Sequence, residues 1–300
     1  MLALRRGAAT IGLLISTSFP AQAGLQVIGN GIGGDYSVAD GTTLWSLVGG
    51  VSTPVAPGLN GKNASLHDYV IATGAGGAVS VFSLGELNPS FGGTGAAPYI
   101  SVSGGKYSLV DPNAGAAGRD LSNLASLKVL AVPALPQGAG GVAPHVTLSG
   151  AVANPGVYDL SQLQALPAVT ETISGDKYTG VPLYGFLSPT KPDITSQIVI
   201  FGATDGYEVV LSLAELAPAF GGNPNNLLPY ADTGGKFPGA GIARDLLPND
   251  LKQGRWVSNL GFANVSAVPE TSTWAMMLIG FAGLGYAGRR RSKQAALGAA

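Results

Sequence analysis

The chain has 300 residues, of which only 11% are charged against about 25% in an average globular domain, and its formal net charge is -1. Without a basic excess it lacks an electrostatic footprint for nucleic acid, and without cysteine it has no disulfide, no thiolate metal site and no thiol nucleophile. Glycine (46) and proline (20) punctuate a sequence that is 46% hydrophobic, so the expectation is a loop-rich, mostly β protein with ample core.

The N-terminus reads as an export label. Met1 to Arg6 carries two arginines, Gly7 to Phe19 is apolar and small, and Ala21-Gln22-Ala23 is a small-residue cleavage site, so residues 1–23 are predicted to be a secretory signal peptide removed by signal peptidase before Gly24. Arg5-Arg6 hints at the twin-arginine route, but Leu4 and Gly7-Ala8-Ala9 lack the rest of that motif.

The body contains an internal repeat. Val81 to Gly93 returns as Val210 to Gly222 with nine identities in thirteen at an offset of 129. Gly29 and Tyr36 match Gly150 and Tyr158, Gly41 and Leu44 match Gly180 and Leu183, and Arg119-Asp120-Leu121 matches Arg244-Asp245-Leu246. Ala131-Val132-Pro133 matches Ala267-Val268-Pro269. These offsets divide the chain into a trimmed first copy (24–132), a linker (133–144) and a fuller second copy (145–267). The first copy lacks residues found between Leu160 and Gly180 and a stretch equivalent to Leu247 to Val257, so the second is the better candidate for binding.

Within the second copy, Val146 to Gly150, Gln197 to Phe201, Tyr207 to Leu211 and Trp256 to Val265 are predicted strands from their β-branched and aromatic content. Ser83, Asp159 and Ser212 each stand three residues before Glu86, Gln162 and Glu215, the spacing of a capping box, so short helices are predicted after them and the two glutamates are assigned to capping. Gly-Gly after Phe91 and after Phe220 is predicted to end the helices that Ser83 and Ser212 begin. Asp205 in Thr204-Asp205-Gly206-Tyr207 reads as a turn residue whose counterpart is Gly76. His67 and His145 read as solvated loop residues, and the glycine-rich stretch Gly29 to Gly34 opens no predicted helix, which argues against a dinucleotide loop.

In order, the second copy shows Gly156-Val157-Tyr158-Asp159-Leu160, Gly180-Val181-Pro182-Leu183, Ala203-Thr204-Asp205-Gly206-Tyr207, Leu228-Pro229-Tyr230, Ala243-Arg244-Asp245-Leu246-Leu247-Pro248 and Arg255-Trp256-Val257-Ser258-Asn259-Leu260. This succession, over roughly 146–265, resembles the molybdopterin-binding domain of sulfite-oxidase-like oxidoreductases. The resemblance implies an α+β, β-rich fold, here as two tandem repeats with short capped helices. It also implies a pterin-held molybdenum coordinated by one cysteine thiolate, which this chain lacks. The corresponding loop is expected around Thr170 to Tyr178, where Thr172 and Ser174 are poor substitutes because an alkoxide is far more basic than a thiolate. Arg244, Lys252 and Arg255 fall where the family presents basic groups near its cofactor; the alternative is that they are plain surface charges.

The last segment (268–300) is a second label. Val268-Pro269-Glu270 precedes an almost wholly apolar run, Thr271 to Ala287, and then Arg289-Arg290-Arg291. Trp274 to Ala287 as a helix reaches roughly 21 Å of a roughly 30 Å hydrocarbon core, and the arginines form a membrane stop on the cytoplasmic side. The pattern resembles a PEP-CTERM sorting signal, with Thr271 in place of the usual second proline. It implies an exosortase partner, a transient inner-membrane tether and a final place at the cell surface or outside the cell, in an exopolysaccharide setting. Three functions follow as expectations. The first is a non-catalytic exported surface or matrix protein with no cofactor. The second is a molybdopterin-dependent oxidoreductase without a cysteine ligand. The third is an anion- or polysaccharide-binding module using the loop from Leu247 to Trp256.

Overall fold

The computed structural model describes residues 24–268 apart from 30–31, 52–62, 94, 116–117, 136–139 and 191–192. The signal peptide, Pro269, Glu270, the apolar tail and Arg289 to Arg291 lie outside the described residues.

The first half runs β1 (Leu25–Gly29), β2 (Ile32–Tyr36), β3 (Thr42–Thr43), α1 (Leu44–Val48), β4 (Asp68–Gly74), β5 (Val79–Ser83), α2 (Leu84–Leu87), β6 (Tyr99–Ser103), β7 (Lys106–Val110) and β8 (Leu124–Ala131). The second runs β9 (Val146–Gly150), β10 (Gly156–Tyr158), α3 (Leu160–Gln164), β11 (Val169–Ile173), β12 (Asp176–Pro182), α4 (Leu183–Leu187), β13 (Gln197–Ala203), β14 (Glu208–Ser212), α5 (Leu213–Leu216), β15 (Leu227–Asp232) and β16 (Leu260–Ala267). The fold is α+β and β-rich. Each half has a five-stranded sheet, in the orders β2-β1-β8-β4-β5 and β10-β9-β16-β13-β14, and a three-stranded one, β3-β6-β7 and β11-β12-β15. The large sheets have one connectivity: a hairpin, a parallel pairing of its first strand with the last strand of the half, and an antiparallel run to the next hairpin.

Alternation along β4 and β13 explains how the halves meet. Val70 and Ala72 point into the core of the first half, while Tyr69 and Ile71 point out of it; Val199 and Phe201 point into the second core, while Ile198 and Ile200 point out. The outward residues join Val81, Val132, Val210 and Val268 in a third apolar cluster between the sheets. Its members occupy equivalent positions in the two halves, so the seam is close to a self-complementary interface within one chain. Both faces of β4 and β13 are therefore covered and every residue of both strands is buried. The halves also interpenetrate, since Leu66 and Phe91 of the first lie in the core of the second.

Several local expectations change. The last strand begins at Leu260 rather than Trp256, because Gln253–Arg255 form a 3-10 turn and the chain then crosses to the sheet. The helices after Ser83 and Ser212 are single turns that end at Asn88 and Ala217, before either Gly-Gly pair; Gly221, with φ +85°, instead caps a separate 3-10 turn, Pro218–Phe220. Thr170 to Tyr178, expected as a loop, is the β11–β12 hairpin, whose turn residues Ser174 and Gly175 both have positive φ. His67 is buried at the end of a 3-10 turn, edge-on to Tyr207, and is not a solvated residue; His145 is exposed. The described part of the linker folds back on the second half, with the Leu135 amide donating to Glu208 and the Gly140 amide to the Thr204 carbonyl.

Because Ile200 is 3% exposed and central to the seam, Ile200→Ala should lower unfolding free energy by about 2–5 kcal/mol. Urea denaturation would measure it, and a loss below about 1 kcal/mol would mean that the seam is not part of the cooperative core.

Candidate functional site

The polar centre grows out of two one-turn helices. In α2 the Ser83 hydroxyl accepts from the Glu86 amide at 3.0 Å and the Glu86 carboxylate accepts from the Ser83 amide at 2.7 Å. In α5 the same bonds join Ser212 and Glu215 at 3.1 and 2.9 Å. These are complete capping boxes, as the spacing predicts. The structure adds what the glutamates do with their remaining lone pairs. Glu86 pairs with Arg119 at 3.1 Å, and Arg119 also pairs with Asp111 at 2.7 Å. Glu215 pairs with Arg255 at 2.5 Å, and Arg255 also pairs with Asp250 at 2.6 Å. Each half thus carries a carboxylate–guanidinium–carboxylate triad on its capping glutamate.

The triads are stitched across the seam. Ser83 of the first half donates to Glu215 of the second at 2.8 Å, and Arg119 of the first donates to Ser212 of the second at 3.2 Å. Arg255 reaches over α2: a Cβ on Gly85 would lie 2.5 Å from its Cδ, which accounts for glycine here where the second copy has Ala214. The loop that carries Arg255 also docks on the first half through the Leu251 amide, which donates to the Phe91 carbonyl.

Burial lifts Glu86 to about 7 although Arg119 opposes it, and the neighbouring Glu215 and Asp111 push in the same direction as burial. Asp250 is raised by burial against the pull of Arg255. For Arg119 and Arg255 burial disfavours the charge, but the paired carboxylates outweigh it and hold both above the ordinary arginine value. A cavity of about 210 Å³ opens on these groups; Glu86, Arg119, Glu215, Asp250 and Arg255 line it, with Asn226 among the neutral walls.

Of the three basic residues read from the sequence, only Arg255 reaches this cavity. Lys252 is exposed on the loop. Arg244 is buried, 5.3 Å over the Trp256 ring, and its Nε has no hydrogen-bond partner among the described residues. Its neighbour Asp245 accepts from the Val257 amide, and burial raises it to about 7. Alignment equates Arg244 with Arg119, but the structure gives the role of Arg119 to Arg255. The reason is topological. Leu121 pairs with Leu109 on β7, whereas Leu246 pairs with Leu227 on β15, so the second segment sits one strand nearer the core and its arginine cannot occupy the equivalent place. Asp250 and Arg255, which enter together in the inserted loop, supply the missing acid and base. The signal was present in that insertion, which brings an acid and a guanidinium as a pair.

Arg255 and the cavity it lines do not fit a molybdopterin: its phosphate needs cations free of other anions, yet Arg255 lies between Glu215 and Asp250, and the cavity presents three carboxylates, while Arg244 and Lys252 lie outside it. The hairpin that stands where a thiolate ligand is expected has no sulfur: it offers hydroxyls and the carboxylates of Glu171 and Asp176, of which Asp176 is paired with Lys236, and Thr170 Oγ1 is hydrogen-bonded to Thr179 Oγ1 at 2.9 Å. Among the described residues no group of three or more His, Asp or Glu is arranged to hold a metal ion, and no helix is long and apolar enough to cross a membrane.

No protein-family model matches the chain and no curated protein sequence matches it significantly. Among solved structures it is similar to the sulfane dehydrogenase SoxCD from Paracoccus pantotrophus, at 13% identity and a TM-score of 0.31, over 54% of this chain and 48% of that one. The chain spans less than half the length of that protein, and no functional residue is carried over from it.

Two outcomes test the centre. The folded pKa of Glu86, about 7, lies above its ordinary 4.5, so the folded state holds the proton more tightly and this stability is full below about 4.5 and lost as the pH rises to about 7. Asp245 acts in the same direction from 3.8 to about 7. Urea midpoints should therefore fall between pH 5 and pH 8, and Glu86→Gln, which keeps the capping box, should remove a share on the order of 2–3 kcal/mol of that fall. Arg255→Met strands Glu215 and Asp250 and should cost about 3–5 kcal/mol at pH 8, less at pH 5; equal costs at both pH values would contradict the pairing.

Proposed function

We propose that the protein is an exported, non-catalytic component of the cell surface or extracellular matrix, delivered by a PEP-CTERM-type tail and an exosortase. The observation that supports a structural role most directly is the use made of the polar centre. Its two glutamates cap helices, pair with arginines and, through Ser83 and Ser212, bind one half to the other. Groups so engaged hold a fold together, and the Ser83 hydroxyl beside Glu215 is itself held by the Glu86 amide.

β1 starts at Leu25, one residue past the expected cleavage point, and Val268 is 4% exposed, its amide donating to the Ser196 carbonyl as Val132 donates to that of His67. Cutting beyond Val268 leaves every described strand in place. The oxidoreductase reading has less support, for the reasons of charge and ligand given above. Polysaccharide binding is kept as the second reading because the loop from Leu247 to Trp256 lines the seam cavity.

The delivery claim is tested by removing residues 269–300. Fractionation should then find the protein released or misplaced instead of at the surface, and an unchanged location would refute the sorting role. Elemental and pterin analysis of protein made in a host competent for molybdenum-cofactor synthesis should find neither molybdenum nor pterin; near-stoichiometric amounts would restore the oxidoreductase.

A further inference from the structure

The seam cavity has an unbalanced lining. Glu86, Glu215 and Asp250 face two guanidiniums, Arg119 and Arg255, and Asp111 lies buried behind Arg119. All of these charges are nine-tenths buried or close to it, with side-chain exposures from 0% to 11%, so water screens them poorly. Each glutamate accepts three hydrogen bonds, of the roughly four a carboxylate offers: Glu86 from the Ser83 amide and two nitrogens of Arg119, Glu215 from the Ser212 amide, the Ser83 hydroxyl and Arg255. Asp250 accepts two, both from Arg255. Acceptor positions therefore remain on groups that line a space with room for about seven waters at about 30 Å³ each, and the lining carboxylates exceed the guanidiniums by one, or by two with Asp111 counted. An anion is repelled there. A neutral molecule meets the acceptors but leaves the charge uncompensated.

We propose that this cavity binds a small hydrophilic molecule through a primary ammonium group, placed against Glu86, Glu215 and Asp250, with its hydroxyls toward Asn226 and the free N–H groups of the arginines. An amino alcohol and an amino sugar share that chemistry. The inference stands on the cavity and is independent of export or sorting. Because the lining comes from both halves, a bound cation also ties them together, and ligand and seam stabilise each other. Binding is pH-dependent in one sense: Glu86, which faces Arg119, Glu215 and Asp111 with Arg255 packed over its helix, takes up a proton as the pH falls and the attraction weakens.

The test is titration calorimetry on the purified full-length chain at pH 8 with ethanolamine, its neutral analogue ethylene glycol and its anionic analogue glycolate, with ethanolamine and glucosamine compared side by side at pH 7. Ethanolamine or glucosamine should bind saturably and raise the melting temperature, whichever is tighter marking the amino alcohol or the amino sugar as the source. The neutral and anionic analogues should bind at least about tenfold more weakly. Glu215→Gln keeps the capping box and removes one negative charge, so under conditions where it stays folded it should weaken ammonium binding by about tenfold, as should moving the wild type to pH 5. No saturable binding of either amine up to about 10 mM, equal binding of ethylene glycol, or an affinity unmoved in Glu215→Gln would each overturn the proposal. Should Glu215→Gln fail to fold, Glu86→Gln removes a second negative charge of the same cavity and serves as the second variant with the same expected outcome.

Discussion

Covering both faces of β4 and β13 is the constraint on which the rest of the structure depends. A strand with Tyr69 and Ile71 on one face and Val70 and Ala72 on the other has no face to give to water, and the same holds for Ile198 to Phe201. Each half alone would expose the outward set as a contiguous apolar patch. Packing the two patches together solves the problem with side chains at equivalent positions, and it brings the hairpins β4–β5 and β13–β14, with the one-turn helices that follow them, onto the same seam. The polar centre is a consequence. Ser83 and Ser212 end the strands that face each other, so their capping boxes meet in a region from which water is largely excluded.

Once the capping glutamates are buried, electrostatics dictates what surrounds them. An unpaired carboxylate in that setting takes up a proton or destabilises the fold; a paired arginine offsets its charge, and the second acid behind takes the guanidinium's remaining donors. Arg119 does this for Glu86 while lying 4.0 Å over the Phe82 ring, so its stem also fills the core. Asp111 and Asp250 hold their arginines from the far side with side chains that are 0% and 1% exposed. The compensation is incomplete, which is why Glu86 sits near neutrality rather than in the ordinary carboxylate range.

Much of this architecture is written in local sequence and some of it is not. The capping boxes at Ser83, Asp159 and Ser212 follow from spacing alone, because the bonds span three residues and need no tertiary partner. The turn at Asp205 and Gly206 is equally local, with the Asp205 carboxylate accepting from the Tyr207 amide and Gly206 at φ +84°. Strands β9 and β13 are legible from branched residues, but the start of β16 is not, since Trp256 and Val257 are buried by the path of the chain and not by pairing in the sheet. His67 shows the same limit: a lone histidine in a polar stretch reads as solvated, and only the docking of the second half, with Tyr207 against it, buries it. The ion pairs across 33 to 40 residues leave no periodic trace at all.

The case of Arg244 shows how alignment and physics part. Sequence equivalence follows ancestry of position, and by that measure Arg244 is the partner of Arg119. What the buried Glu215 requires is a guanidinium at its carboxylate, from whatever segment reaches it. In the second half the segment bearing Arg244 moves inward by one strand, to pair with β15 directly, and the requirement is met by Arg255 from an inserted loop that also brings its own Asp250. Gly85 on the opposite half is the mark of that substitution, a position kept bare so that a side chain from the other half can lie across it. The same triad is thus built twice on an equivalent glutamate with a non-equivalent arginine and aspartate, which is expected when the selected quantity is charge compensation at the seam and not the identity of any one position.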